Sequence, residues 1–222
     1  MRKTTLAAVV LGSFIGVFVF VGTLWTIQPT IAQAINNYRV LFQQTSGPTV
    51  DAEAKALTLL AAWDATQEYA HSWSNDSVLI MLTSADVDDQ DQEPRVDGAR
   101  RVWQAVYTSQ SRNKELHLQI VDGAVTSAIE DAVYDPGILT IAEKPQIDSP
   151  AALKVVQEAI PDFNFSVGRG KGFHFGLHPG TDGKPVITVV GSSKASDGSL
   201  VPTGVKVDPT TGQILDRQEL PK

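Results

Sequence analysis

The chain has 222 residues and no cysteine. Disulfides, thiolate metal sites and a lipid-modified cysteine at the N-terminus are therefore excluded for it. Charge is missing from one long stretch, since no Asp, Glu, Lys or Arg lies between Thr4 and Tyr38. Basic residues are scarce throughout: 18 Lys and Arg stand against 25 Asp and Glu, a formal charge of −7. Setting Arg2 and Lys3 aside leaves 16 against 25, or −9, for everything after the uncharged stretch. Such a surface repels phosphate backbones and anionic headgroups, so nucleic acid is not an expected partner. Catalytic signatures are also absent. There is no G-x-S-x-G elbow, and the four histidines stand in no recognisable motif.

The uncharged stretch contains the apolar run Leu6 to Ile27. Crossing the hydrocarbon of a bilayer takes about 20 apolar residues as a helix, with every backbone polar group paired inside the segment. The run predicts a transmembrane anchor with Leu6 and Ile27 as its ends. Arg2 and Lys3 before it place the N-terminus in the cytoplasm, and Trp25 becomes the anchor at the outer interface. The expected location is the plasma membrane, single-pass, with the C-terminal part extracytoplasmic. A cleaved signal peptide is the competing reading, helped by Ala32-Gln33-Ala34 as a cleavage site, but a signal core runs about 7 to 15 residues. Gly12 and Gly16 form a small-xxx-small pair that would let a second membrane helix approach.

Beyond the anchor, residues 28–48 predict a juxtamembrane helix or linker, with Pro29 in a first helical turn and Ser46-Gly47-Pro48 closing it. Residues 49–147 predict a first α+β unit. Thr49 caps a helix over about 51–69, and strands follow at Val78 to Leu82, Val102 to Tyr107 and Leu116 to Ile120. Asp122-Gly123 is a hairpin turn leading toward Val125 and Ile129. Residues 148–222 repeat the order. Ser149 and Pro150 start a helix ending at Pro161, and strands run through Phe173 to Leu177, Val186 to Val190 and Val201 to Val207. The expected fold class is α+β: an N-terminal transmembrane helix, then two small units, each with its helix on its own antiparallel sheet.

The second unit carries a resemblance. Gly183-Lys184-Pro185-Val186 leads into a strand, and Val205-Lys206-Val207-Asp208-Pro209-Thr210-Thr211-Gly212-Gln213-Ile214-Leu215 ends one strand in Asp, turns through Thr-Gly and resumes with an apolar strand. This pattern, covering about the last third of the chain, resembles the PepSY family. Val121-Asp122-Gly123-Ala124-Val125 looks like a more divergent copy in the first unit, and Asp97-Gly98-Ala99 before Trp103 is similar to the Asp-Gly strand start of such domains. An anchor followed by two cystatin-like domains is similar in layout to bacterial regulators of cell-wall elongation. The resemblance implies a non-enzymatic exported module that binds or restrains a partner, often a peptidase or a cell-wall enzyme. It implies no site residues and no cofactor.

Local constellations add little chemistry. Asp86 to Asp97 is acidic, but Asp91 stands where a calcium loop needs Gly and Asp97 where it needs Glu, which rejects an EF-hand. His174 and His178 lie four apart on a strand, about 13 Å, too far to share a metal ion unless the strand bends at Gly176. Gly168-Arg169-Gly170-Lys171-Gly172 lacks the Ser or Thr and the following helix of a phosphate loop. Asn75-Asp76-Ser77 is a formal glycosylation sequon, and Trp63, Trp73, Trp103 and Tyr107 could form a sugar platform, though such aromatics more often fill cores. The sequence therefore predicts no catalytic, cofactor or metal residue. It favours a binding or regulatory protein acting on another envelope or membrane protein. An accessory structural subunit of a membrane complex and an envelope hydrolase acting on peptide or glycan are the alternatives.

Overall fold

The computed structural model describes residues 55–85, 96–131, 136–164, 172–180 and 182–220, all within one compact unit. The order is a helix and four strands, then a helix and four strands: α1 (Leu59–Trp73), β1 (Val78–Ser84), β2 (Val102–Ser109), β3 (Lys114–Val121), β4 (Ala124–Asp131), α2 (Ser149–Ala159), β5 (His174–Pro179), β6 (Pro185–Lys194), β7 (Leu200–Val207) and β8 (Ile214–Glu219). All eight strands join one antiparallel sheet in the order β4-β3-β2-β1-β5-β6-β7-β8.

This corrects the expected fold class. The strands do not close as two small sheets, each under its own helix. They form one eight-stranded sheet, because β1 and β5 pair directly, Leu82 opposite Leu177 and Thr83 opposite Gly176. Apolar residues of both halves then share one core, from Trp63, Trp103 and Leu118 to Phe175, Ile187 and Val205. Burying that continuous surface favours union over separation.

The expected single-pass anchor and plasma-membrane topology are corrected as well. Among the described residues no helix is long and apolar enough to cross a membrane. At 15 and 11 residues, α1 and α2 are about 22 and 16 Å long, well short of the ~30 Å of hydrocarbon, and both carry charges. The run Leu6 to Ile27, with Trp25, Gly12 and Gly16, lies outside the described residues.

Local chemistry explains the element ends. Helix α1 begins at Leu59, not near Asp51, because Leu57 is committed to an extended bridge with Arg100, N to O at 2.8 Å in both directions. Thr58 becomes the N-cap. Between β3 and β4, Asp122 (φ 51°) and Gly123 (φ 84°) make a two-residue turn with both central residues left-handed, which matches the strand twist. Arg101 grips the Asp122 carboxylate with two bonds, at 2.6 and 2.8 Å. Under α1, the Thr66 and Tyr107 hydroxyls meet at 2.9 Å, and burial pushes the Tyr107 phenol well above its usual range.

The two helices are tied together at their N-termini. Ser149 Oγ accepts the Leu59 N–H at 2.9 Å, and Asp148 Oδ1 accepts the N–H groups of both Leu60 (2.9 Å) and Ser149 (2.8 Å). One Asp-Ser pair thus caps its own helix and a helix some ninety residues earlier. Gly98, at φ 81°, passes so close to this joint that a Cβ would stand 2.7 Å from Pro150.

Candidate functional site

Two features lie side by side at the β4 end of the sheet: an edge strand and a polar corner.

Among the described residues, strand β4 is the outermost strand on its side. Its residues Ala124 to Ile129 carry no charge, and Ala124, Thr126, Ala128 and Ile129 are exposed, Ile129 to 46%. Register with β3 fixes its faces. Val125 and Ala128 lie opposite the core residues Ile120 and Leu118 and so share the helix side, while Ile129 lies opposite His117 on the other side. Thr126 is the extra residue of a bulge, with no cross-strand mate. The opposite edge differs. Strand β8 is shorter and carries Asp216, Arg217 and Glu219, charges of the kind that keep sheet edges from pairing.

Above β4, the last turn of α1 brings Trp73 over the strand end. Its indole Nε1 donates to Glu130 at 2.8 Å, and Glu130 also binds Lys114 and lies 3.4 Å from Arg112. The Arg112 guanidinium stacks on the indole at 5.1 Å and donates to the Trp73 carbonyl. The Lys114 and Trp73 hydrogen bonds, with the charge of Arg112, hold the Glu130 carboxyl below its usual range.

Next to this lies an open hollow of about 440 Å3, lined by His71 to Asp76, Ser111 and Arg112. Asp76 dominates it chemically. Its carboxylate accepts the hydroxyls of Ser74 and Ser109 at 2.6 Å, and both the hydroxyl and the N–H of Ser111 at 2.8 Å. Those bonds, Ser109 first, hold its proton affinity far below that of an ordinary carboxylate. A carboxylate that binds protons so weakly is a poor general base. Its hydrogen bonds pin the β2–β3 turn to the connection after α1, and the serines spend their protons on it. The neighbouring His71 is engaged with Gln67 at 3.4 Å. This corner is built to hold its shape.

Of the aromatics weighed as a sugar platform, Trp63, Trp103 and Tyr107 are in the core. Trp73 alone of the four is partly exposed, and Arg112 covers one face of its ring. Neither histidine is the exposed strand residue expected from alternation. His174 is buried, and His178 is half-buried, with Nε2 2.8 Å from the Thr188 hydroxyl and Nδ1 3.1 Å from the Pro179 carbonyl. Burial holds the His178 imidazole below its ordinary proton affinity. Among the described residues, no group of three His, Cys, Asp or Glu is placed to hold a metal ion. Residues 86–95 of the acidic run and 165–171 of the glycine-rich loop lie outside the described residues.

The sequence reading missed the Trp73, Arg112, Lys114 and Glu130 cluster because its members come from α1, the β2–β3 turn, β3 and β4. Only Arg112 and Lys114, alternating beside a turn, left a local trace.

No family model matches the chain, and no curated protein matches it. Among solved structures, the chain is similar to a protein described as a putative lipoprotein of Clostridium difficile 630, at 12% identity and a TM-score of 0.48, over 77% of this chain and 97% of that one. At that score the likeness carries no argument.

Proposed function

We propose that this chain is a non-enzymatic binding module that takes up an extended segment of another protein along β4. The observation that carries the reading is the β4 edge itself: six uncharged residues, largely exposed, on the outermost strand of a large sheet. Unpaired backbone N–H and C=O groups on such an edge are a template for one more strand, and proteins that do not use an edge usually charge, shorten or cover it. Strand β8 is short and charged along its length, whereas the charges of β4, Glu130 and Asp131, are confined to its end. The polar corner keeps the β4 end rigid, which lowers the entropic cost of docking. The PepSY resemblance of residues 183–215 points the same way, toward a module that restrains a partner.

The test is capture by the full chain from mild-detergent extracts of its own cells. The wild type and a β8 control, Leu215→Lys, should hold the same partner. Ser127→Lys combined with Ile129→Lys, which charges the β4 edge, should lose it, as should Thr126→Pro. A partner retained by both β4 variants, with folding verified by circular dichroism, overturns the proposal.

A further inference from the structure

We infer that the hollow at the end of α1 is a binding site for a single neutral sugar unit, separate from the β4 edge.

The hollow holds about 440 Å3, within the roughly 300–1,000 Å3 usual for small-ligand sites. Its frame is fixed in advance. Asp76 ties the hydroxyls of Ser74, Ser109 and Ser111 and the Ser111 N–H into one network, so a ligand meets walls that are already ordered. What those bonds leave over faces the open side. A carboxylate oxygen accepts two hydrogen bonds, and Oδ2 of Asp76 takes one, the Ser111 N–H at 2.8 Å. Arg112 has five N–H donors; one goes to the Trp73 carbonyl and another leans toward Glu130 at 3.4 Å. Asn75 lines the hollow, is exposed, and brings a carboxamide that both donates and accepts. Trp73 supplies the apolar wall. Its ring is held by Arg112 over one face and by Glu130 at Nε1.

Charge narrows the occupant. Asp76 and Glu130 are matched by Arg112 and Lys114, so the four charges of this corner cancel. Its four hydrogen bonds keep Asp76 ionised at any physiological pH, and an ionised carboxylate only accepts. The ligand must therefore bring O–H or N–H donors. An ammonium at Asp76 would stand near the Arg112 guanidinium, and a carboxylate or phosphate at Arg112 would stand near Asp76. Hydroxyls meet neither repulsion. A wholly apolar molecule would strip water from Asp76 and return no bond. A sugar ring carries hydroxyls around its rim and C–H groups on its faces. That is the complement of a carboxylate, a carboxamide and a guanidinium set beside an indole.

The experiment is saturation-transfer NMR on the full chain at mildly acidic pH. Glucose and N-acetylglucosamine are the neutral probes, with glucosamine and glucuronate as charged analogues of the same ring. The neutral sugars should bind saturably, roughly fivefold or more tightly than either analogue. Asn75→Ala should weaken them by a similar factor, and Asn75→Trp, which fills the hollow, should abolish binding, both with Tm unchanged because residue 75 is exposed. Ser127→Lys combined with Ile129→Lys should bind the sugars as the wild type does. No saturable binding, equal affinity for the charged analogues, or binding unchanged in both Asn75 variants overturns the inference. So does its loss in the β4 variant. The β4 reading has its own readout, capture of the cellular partner, so the two fail separately.

Discussion

Replacing Ser149 with Ala tests how the two helices are joined. The Ser149 hydroxyl has no solvent exposure, and its oxygen accepts the N–H of Leu59, also fully buried, at 2.9 Å. That N–H is one of the donors at a helix start that has no partner within the helix. The helix's own cap, Thr58, reaches only Ala61, at 3.4 Å. Alanine at 149 therefore leaves a buried donor unpaired where water cannot replace the oxygen, at a cost of about 1–3 kcal/mol. For a chain of this size each kcal/mol corresponds to a fall in Tm of about 2–4 °C. Urea unfolding followed by tryptophan fluorescence should show a lower midpoint with an unchanged slope, since the surface exposed on unfolding stays the same. Thr58→Ala should cost less, because its bond is long and Ala61 is half-buried. A Ser149→Ala midpoint equal to wild type, or a larger loss from Thr58→Ala, would refute the idea that α1 is capped from across the fold.

Three further outcomes are expected. Gly98 and Gly198 share φ 81°, but a Cβ at 98 would meet Pro150 at 2.7 Å whereas one at 198 would meet nothing within 4 Å; Gly198→Ala should cost about 1–2 kcal/mol of left-handed backbone strain, and Gly98→Ala clearly more, read as Tm and soluble yield. Asp76→Asn should lower the melting temperature at pH 7 and flatten the acid limb of stability. The folded-state proton affinity of Asp76 is depressed, so its contribution is complete above the ordinary value of 3.8 and is lost as pH falls through the lower folded value. His178 is held below its ordinary 6.5 by burial, with Lys206 adding to the effect, so the unfolded chain takes up the proton first and stability falls as pH drops below that value. His178→Gln should flatten the profile between pH 7 and 5, measured as urea midpoint against pH.

Local pattern made much of the architecture legible, and distance in sequence set the limit. Alternation at Leu116, Leu118 and Ile120, the Asp122-Gly123 turn and the Ser149-Pro150 helix start each lie within a few residues of the structure they specify. The union of two expected units into one sheet depends on Leu82 meeting Leu177, 95 residues apart, which no local window reports. His174 shows the same limit from the other side. Alternation assigned it correctly to the face opposite Phe175, but whether that face is exposed is decided by what packs there, and His174 is buried.

The candidate site divides along the same line. Composition by itself determined that the chain has no thiol chemistry, that it is acidic, and that residues 124–129 form an uncharged segment after a tight turn. Only the tertiary structure decided that this segment is the outer edge of the sheet, and that Trp73, Arg112, Lys114 and Glu130 lock its end. A strand's place in a sheet depends on which strands pair across the whole chain. That choice is made by burying a shared apolar surface, and no stretch of a few residues carries the information.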